Sequence, residues 1–259
     1  MSKLIVRQEE GIMFLTLNRP EKYNSFDREM AFALKRELIN AAEDDRVRAV
    51  VISGAGKAFC AGQDLNEAID PDNGLTLRKI IDEHYNPIVK MIRGLQMPVI
   101  AAVNGVAAGA GANLALACDF VIASQNASFL QAFIHIGLIP DTGGTFFLPR
   151  LVGWAKAAEL MMLGEKVPAE EAQRIGMIYK AVPAEEFESF VMRFAQRLAK
   201  MPTTGLYLTK QLLEQSWKSD LHQQLGFELG AQEEAGGTED YTEGVNAFLE
   251  KRKANFKGI

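Results

Sequence analysis

Two turns rich in small residues each follow a short apolar run, and such turns can bind an anion through the backbone. The first turn covers residues 59–65 and follows the run 49–53; the second covers residues 104–113 and follows the run 98–103. Small residues allow a ligand to approach the main chain closely, and a turn that opens a helix leaves N–H groups unpaired. We therefore expect the two turns to direct main-chain N–H groups at one oxygen atom.

The second turn has alternative interpretations. Gly105, Gly109 and Gly111 do not fit the dinucleotide-binding fingerprint, and the acidic residue that the fingerprint needs about 20 positions later is missing. A Rossmann-type site is therefore not predicted. Taken alone, the glycine and alanine cluster is more typical of close helix packing without any ligand.

Asp141 is the candidate acid/base. It stands in the stretch Ile-Pro-Asp-Thr-Gly-Gly at residues 139–144, where a carboxylate could take up and release a proton. The alternative for Asp141 is an ordinary turn residue after Pro140. For Asp64 and Asp119 we predict structural roles, as a turn cap and at a backbone corner, and for His135 a packed position or a place at the rim of the site.

The order of elements predicts an α/β fold with a helical C-terminal third. Apolar patterns predict strands at 3–6, 12–17, 49–53, 98–103, 120–123 and 179–182, and an irregular loop region at 129–150. Asp27 is expected to cap a helix reaching about Asp44, with a buried stripe of Met30, Phe32, Leu34, Leu38 and Ile39. Further helices are predicted at 75–93, 155–163, 169–175, 184–199, 204–216, 221–234 and 238–253.

Composition excludes several classes of function. With 259 residues and 48% hydrophobic residues, the chain can bury a large core, and we expect it to fold. The net charge of −5 disfavours nucleic-acid binding, and we expect neither a membrane span nor a secretory signal, which points to the cytoplasm. The two cysteines and three histidines have no metal-ligand spacing, so no metal site is predicted.

Taken together, the motifs resemble those of the crotonase (enoyl-CoA hydratase/isomerase) superfamily over nearly the whole chain. The resemblance rests on the turn 59–65, the stretch 98–119, the loop 137–149, the phrase 172–182 and the ending 250–256. Within the superfamily, the loop 138–149 with Gly164 and residues 176–178 is most similar to the ring-opening isomerases of phenylacetyl-CoA breakdown. These convert 1,2-epoxyphenylacetyl-CoA to an oxepin-CoA and also shift double bonds in enoyl-CoA.

The resemblance implies a fold, an assembly and a substrate class. The fold would be a spiral of repeated ββα units over residues 1–195, which hold the coenzyme A site, followed by a helical trimerisation region at 196–259. The assembly would be a homotrimer or a dimer of trimers. The substrate would be an acyl-CoA thioester, with no cofactor beyond the coenzyme A of the substrate itself.

The resemblance also assigns roles to residues. It implies that the main-chain N–H groups of Gln63 and Ala110 form an oxyanion hole and that Asp141 is the acid/base. The two hydratase glutamates fall at Asn113 and Phe133, so isomerisation is expected rather than hydration, and Phe133 would make the pocket drier. The predicted substrate- and CoA-binding residues are Lys22, Lys57, Ala61, Asp64, Leu65, Gly109, Phe133, Phe256 and Lys257, where Phe256 and Lys257 would reach a neighbouring subunit's ligand.

Two alternative functions remain open at this point. One is a true enoyl-CoA hydratase with a different acid/base pair, and the other is a non-catalytic crotonase-fold protein that binds RNA or holds partners together. The charge of the chain disfavours the RNA version, and the presence of Asp141 disfavours an inactive site.

Overall fold

The computed structural model describes residues 2–259, with the backbone alone for Asn73; Met1, the first residue of the predicted core region 1–195, lies outside the described residues. Ten strands are formed in this part of the chain. They are β1 Leu4–Glu9, β2 Ile12–Leu17, β3 Ala49–Gly54, β4 Ala58–Cys60, β5 Val99–Val103, β6 Val106–Ala108, β7 Phe120–Ser124, β8 Ser128–Leu130, β9 Lys166–Pro168 and β10 Lys180–Val182.

The strands form two sheets through which the chain spirals. One sheet has the order β1-β2-β3-β5-β7-β10 and the other the order β4-β6-β8-β9. Consecutive pairs, β3 with β4, β5 with β6 and β7 with β8, place one strand in each sheet, and each pair joins the preceding one in parallel. This winding agrees with the predicted spiral. The short strands β4, β6, β8 and β9 were not predicted, because three residues are too few to show a period.

Twelve α-helices lie between or after the strands in the described chain, and four further helical segments are of other types. The α-helices are α1 Arg28–Glu43, α2 Leu65–Ala68, α3 Leu77–Lys79, α4 Asn86–Gly94, α5 Ala110–Leu116, α6 Gly144–Val152, α7 Trp154–Leu163, α8 Ala169–Arg174, α9 Phe187–Ala199, α10 Thr203–Ser216, α11 Leu221–Gly236 and α12 Glu239–Leu249. The other segments are three 3₁₀ helices, Pro20–Lys22, Pro71–Asn73 and Ala132–Ile136, and a π-helix, Ile80–Tyr85.

Helix α1 begins as the sequence predicts, but its buried stripe is narrower. The Asp27 carboxylate accepts a 2.9 Å hydrogen bond from Met30 N and caps the helix. Met30, Leu34 and Leu38 are buried at helical spacing. The prediction for Phe32 and Ile39 was wrong, since both are about two-fifths exposed, at 40% and 42%. Phe32 is two residues from Met30, and two residues turn a helix by about 200°, onto the opposite face.

The central strands are buried on both faces, as predicted for residues 49–53. Val50 and Ile52 of β3 pack in the larger apolar core, on the side of α1 and the interior helices. Ala49 and Val51 point the other way and pack with the apolar residues of α9. The main sheet is therefore a middle layer with apolar packing on each side, and the turns that follow its strands are held firmly.

The predicted loop region 129–150 is partly helical. It contains the 3₁₀ helix Ala132–Ile136 and most of α6, within which Pro149 lies. Proline removes a helical hydrogen bond, which is why the pattern disfavoured a helix there. Burial of Phe147 and Leu148 stabilises α6 despite this loss. The last predicted helix was also too long, since α12 ends at Leu249 rather than at residue 253.

The C-terminal helices are tied to the core through a buried lysine. Lys210 of α10 donates hydrogen bonds of 2.7 Å to Ile92 O and 2.9 Å to Asp119 Oδ2. The predicted boundary between residues 195 and 196 falls inside α9, and the division itself stays a prediction. Large apolar side chains on α11 and α12, among them Leu221, Leu229 and Phe248, are exposed in the single chain, and the trimeric assembly likewise stays a prediction.

Candidate active site

The first turn is anchored by a parallel bridge between Phe26 and Gln63. Phe26 N donates to Gly62 O at 2.7 Å, and Asp64 N donates to Phe26 O at 2.8 Å. In a parallel bridge these bonds use the peptide groups on either side of the central residue, so the N–H of Gln63 faces away from Phe26.

The second turn lies directly against the first. Gly62 has a φ of 93°, and a Cβ placed on it would lie 3.1 Å from Ala108 O and 3.4 Å from Ala110 N. Ala110 is the first residue of α5, and N–H groups of a first helical turn have no acceptor within the helix. The structure therefore brings the turns of Gln63 and Ala110 together, and their role as oxyanion donors stays a prediction.

The side chain of Gln63 is held at both ends of its amide. Tyr85 donates its hydroxyl to Gln63 Oε1 at 3.0 Å, and Gln63 Nε2 donates to Glu67 Oε2 at 3.1 Å. Both carboxylate oxygens of Glu67 in turn accept from Arg28 N, each at 3.1 Å. Tyr85 is buried and comes from the π-helical segment, a distortion of the kind found often at functional sites. The sequence analysis missed Tyr85, because nothing in the helical pattern of residues 75–93 distinguishes it.

Asp141 is fixed by three hydrogen bonds. Its carbonyl oxygen accepts from Asn113 Nδ2 at 2.9 Å and from Gly144 N at 2.8 Å, and its carboxylate Oδ1 accepts from the Thr142 hydroxyl at 2.7 Å. Burial raises the pKa of Asp141, and the bond from Thr142 opposes this only in part. Burial also raises the pKa of Tyr85, with smaller contributions from Cys60 and from the charge of Asp141.

Asn113 and Phe133 occupy the places where the resemblance puts the hydratase glutamates. Asn113 is fully buried, and its Oδ1 accepts from Gln131 Nε2 at 2.8 Å. The Phe133 ring is buried and lies 3.8 Å from where a Cβ on Gly109 would be, so Phe133 and Gly109 border the second turn. Neither residue 113 nor residue 133 can act as a carboxylate.

Four of the predicted substrate-binding residues surround the first turn. Ala61 N donates to Tyr23 O at 3.0 Å, and Leu65 is 51% exposed at the start of α2. Asp64 caps α2 through Asn66 N at 3.1 Å and pairs with Arg19 at 2.8 Å, so its predicted role as a cap is confirmed. Burial alone would raise the pKa of Asp64, but Arg19 and, to a smaller extent, Lys22 lower it by more. The net effect is a lowered pKa. Lys22 precedes Tyr23, whose carbonyl accepts from Ala61 N, and it therefore lies near this turn.

Another lysine of the predicted set lies in the connection between the two sheets. Lys57 is exposed in the turn that joins β3 to β4, and its carbonyl lies against Gly105. Lys22 is exposed as well, in the 3₁₀ helix after β2. Both residues are therefore exposed, and they follow the ends of the neighbouring strands β2 and β3.

Phe256 and Lys257 lie away from this site in the same chain. The Lys257 carbonyl accepts from the Arg48 guanidinium, and Arg48 precedes β3, whereas the first turn follows β4. The Lys257 carbonyl therefore lies at the beginning of β3, whose six residues span about 17 Å. The chain reaches the first turn only beyond the other end of β3. Phe256 packs against Gly244 of α12, 3.4 Å from where a Cβ would be. Their predicted contact with a neighbouring subunit's ligand stays a prediction.

Asp119 and His135 have the structural roles predicted for them. Asp119 Oδ2 accepts from Val99 N at 2.8 Å, and the carboxylate pairs with Arg93 at 3.0 Å, which fixes the backbone corner before β7. His135 Nε2 lies 2.9 Å from Gly164 O, a partner 29 residues away that the sequence could not reveal. Within residues 2–259, no cluster of acidic, histidine or cysteine side chains could hold a metal ion, and no described helix could cross a membrane.

Comparison with known proteins agrees with the fold. Residues 7–259 match the profile of the family described as enoyl-CoA hydratase/isomerase. The chain is 46% identical to the 1,2-epoxyphenylacetyl-CoA isomerase of Escherichia coli (strain K12), over 100% of this chain and 99% of that protein. It is 45% identical to a Rhodobacter capsulatus protein named "Probable enoyl-CoA hydratase", over 100% of both.

The fold is likewise that of solved members of the family. The crystal structure of enoyl-CoA hydratase from Bacillus anthracis superposes with a TM-score of 0.91 at 34% identity, covering 99% of this chain and 100% of the other. Matches of this length and identity concern the whole chain rather than one motif. The chain belongs to the enoyl-CoA hydratase/isomerase family.

Proposed function

We propose that this protein is an acyl-CoA isomerase in which Asp141 moves a proton between two carbon atoms of the substrate. The observation that carries the proposal is the half-buried carboxyl of Asp141, whose carbonyl oxygen is bound by Asn113 on the helix that Ala110 begins, while residues 113 and 133 are Asn and Phe. Hydration needs one group to activate water and another to protonate carbon, whereas isomerisation needs one group that takes a proton and returns it.

The proposed reaction begins with removal of a proton from the carbon next to the thioester carbonyl. The Asp141 carboxylate takes this proton, and the electron pair moves onto the carbonyl oxygen, which becomes an enolate. The N–H groups of Gln63 and Ala110 stabilise this oxygen, and in other enzymes losing one such donor costs about 2.7–4 kcal/mol. Asp141 then returns the proton to a more distant carbon, and the double bonds shift. With the epoxide, the bond between the two epoxide carbons also breaks as the ring expands, and in both cases no atoms are gained or lost.

The surroundings of Asp141 suit this role. Burial raises its pKa, which brings the carboxyl closer to the working pH and makes the return of the proton easier. Phe133 closes one side of the site with an apolar ring, and exclusion of water strengthens the interaction between the enolate oxygen and its donors.

For the substrate we propose 1,2-epoxyphenylacetyl-CoA, a 3-enoyl-CoA, or both. The 46% identical relative is named as an isomerase of the epoxide, and both compounds carry an acidic C–H next to a thioester. In this proposal Lys22 and Lys57, which are exposed, bind the phosphates of coenzyme A, and Ala61, Asp64, Leu65 and Gly109 line the path of its pantetheine arm. No cofactor beyond the substrate's own coenzyme A is required by this scheme.

Enoyl-CoA hydration is the second candidate, because the Rhodobacter capsulatus relative is 45% identical over its whole length and is named as a hydratase. A hydratase would have to activate water with Asp141 alone or with a carboxyl from outside the two expected positions. A non-catalytic binding role would leave the half-buried carboxyl of Asp141 without a purpose.

The test is product analysis with purified protein and three substrates: 1,2-epoxyphenylacetyl-CoA, a 3-enoyl-CoA and a 2-enoyl-CoA. We expect turnover of at least one of the first two, slow hydration of the third, and loss of isomerisation in Asp141→Asn. Fast hydration of the 2-enoyl-CoA, or an Asp141→Asn variant as active as the wild type, would overturn the proposal.

A further inference from the structure

We propose that Asn113 and Gln131 are positioning residues that hold Asp141 in its catalytic place through a chain of two amide hydrogen bonds. Gln131 Nε2 donates to Asn113 Oδ1 at 2.8 Å, and Asn113 Nδ2 donates to the Asp141 carbonyl at 2.9 Å. The inference rests on the proposed function of Asp141, since it assigns what fixes that residue.

The direction of this chain follows from its chemistry. The Asp141 carbonyl oxygen can only accept, so the Asn113 amide must turn its NH₂ group toward residue 141. Its oxygen then faces Gln131, which must in turn present its own NH₂ group. The orientation of both amides is thus set by the acceptor at Asp141.

This orientation leaves one oxygen of Gln131 without a hydrogen bond in the described part of the chain. Its Oε1 has no hydrogen-bond partner among the described residues, and the residue is buried, with 2% of its surface exposed. Turning the amide over would place two oxygens, Gln131 Oε1 and Asn113 Oδ1, against each other. The structure therefore leaves one acceptor unpaired and keeps the donor on Asn113, as expected if that bond matters more.

The space around Asn113 leaves no second arrangement. A Cβ on Gly144 would lie 2.2 Å from Asn113 Nδ2, so the amide fills the place of a side chain there. Gly144 N also donates to the Asp141 carbonyl, at 2.8 Å. Because the Asn113 amide and the Gly144 peptide grip the same oxygen, the peptide that bears Asp141 is fixed on two sides.

A carboxylate at position 113 could not perform this function. It would present only acceptor oxygens to the Asp141 carbonyl and would repel it. Asn113 thus takes the place of a proton-transfer group and serves the one remaining acid/base, which explains why an amide rather than an apolar residue fills this buried position.

The experiment is a double-mutant cycle with Asn113→Leu, Gln131→Leu and the double variant. Leucine branches at Cγ as asparagine does, is somewhat larger than both amides and cannot donate. We expect each single variant to lower kcat for isomerisation by about 10- to 100-fold with KM for the acyl-CoA unchanged, because a small displacement of a reacting group has this effect. The double variant is expected to be no slower than the slower single variant, since both changes break the same chain.

Controls separate positioning from loss of folded protein. Gln125→Leu removes an exposed hydrogen bond of 3.0 Å that the Gln125 amide donates to Glu170, and it is expected to leave kcat unchanged. Calorimetric titration with CoA gives the fraction of protein that is folded and able to bind. The measured rate is divided by this fraction to give kcat per competent site. If Asn113→Leu fails to fold, Gln131→Leu alone carries the test through its kcat and KM.

The outcomes test the positioning role of Asn113 and Gln131 separately from the proposed function of Asp141. Wild-type kcat in the folded single variants, effects that multiply in the double variant, or a change confined to KM would overturn the positioning role. Asp141→Asn is measured beside them: if it is inactive while the leucine variants are fully active, the inference fails and the proposed function stands. If Asp141→Asn is itself fully active, the proposed function fails.

Discussion

Tyr85 donates its hydroxyl to Gln63 Oε1 at 3.0 Å, and the main-chain N–H of Gln63 is one of the two groups proposed to hold the substrate oxygen. The same amide is tied at its other end to Glu67, 3.1 Å away. The side chain of Gln63 therefore fixes the orientation of its own peptide, although no atom of that side chain takes part in the proposed reaction.

Removing this bond is expected to slow catalysis. In Tyr85→Phe, Gln63 Oε1 loses its donor, and the peptide N–H becomes less well placed. We expect kcat for isomerisation to fall about tenfold, a part of the 100- to 1000-fold that follows loss of an oxyanion-hole donor. The matched control is Tyr179→Phe, whose half-exposed ring packs against Phe120 and Phe194. Equal kcat in the two variants would contradict this prediction.

Thr142 is expected to set the pH at which the enzyme loses activity in acid. Its hydroxyl donates to Asp141 Oδ1 at 2.7 Å and lowers the pKa of Asp141, against the larger raising effect of burial. A hydrogen bond to the charged form favours that form, so its removal raises the pKa further. In Thr142→Val, the acid limb of kcat/KM should move to higher pH, whereas Thr142→Ser should keep it in place.

The measurement is the pH profile of kcat/KM for all three proteins with one substrate. Because Asp141 must be ionised to take the first proton, activity falls as the pH drops through its pKa. Thr142 has a φ of 54°, and valine is branched at Cβ as threonine is, so Thr142→Val keeps similar backbone strain and differs from the wild type chiefly in the hydroxyl. An acid limb at the same pH in Thr142→Val and Thr142→Ser would show that the hydroxyl does not act on Asp141.

Much of the site was predictable because the informative residues are consecutive in the chain. The turns at 59–65 and 104–113 and the loop with Asp141 each show their chemistry locally, and the structure brings the first two into contact at Gly62 and Ala110. The buried strands were also predicted, since continuous apolar runs between turns leave few alternatives.

The parts that were missed depend on contacts distant in sequence. Tyr85 reaches Gln63 from 22 residues away, and Gln131 reaches Asn113 from 18 residues away. A tyrosine or glutamine within a helical or loop pattern gives no sign of its partner. Helix α6 was missed for a different reason, because Pro149 opposes a helix locally and tertiary packing of Phe147 and Leu148 outweighs it.

Gly62 is expected to tolerate no side chain. A Cβ there would lie 3.4 Å from Ala110 N and 3.1 Å from Ala108 O, and its φ of 93° is strained for any other residue. We expect Gly62→Ala to lower kcat about 100-fold, in the range seen when an oxyanion-hole donor is lost. The control is Gly74→Ala, which has a comparable φ of 65° but no atom within 4 Å of the new Cβ. If both variants lose activity equally, general backbone strain and not the contact with Ala110 is responsible.

Asp141 is expected to lower the stability of the protein at neutral pH. Burial raises the pKa of the Asp141 carboxyl in the folded state above its ordinary value, so the folded state binds a proton more readily than the unfolded state does. Stability is therefore greatest below the unfolded pKa and falls as the pH rises through the folded pKa. Asparagine stays neutral at every pH and can still accept from Thr142.

Asp141→Asn should accordingly unfold at a higher urea concentration than the wild type at pH 7, and the difference should shrink as the pH approaches about 4. Urea unfolding followed at several pH values measures this, with Asp45→Asn, a change at an exposed carboxylate, as the control expected to alter the midpoint at neither pH. A gain that is the same at pH 7 and at about pH 4 would indicate a packing effect instead. A loss at pH 7 would mean that the carboxylate stabilises the fold. A pH-dependent gain joined to the loss of activity would identify Asp141 as a residue kept for function at the expense of stability.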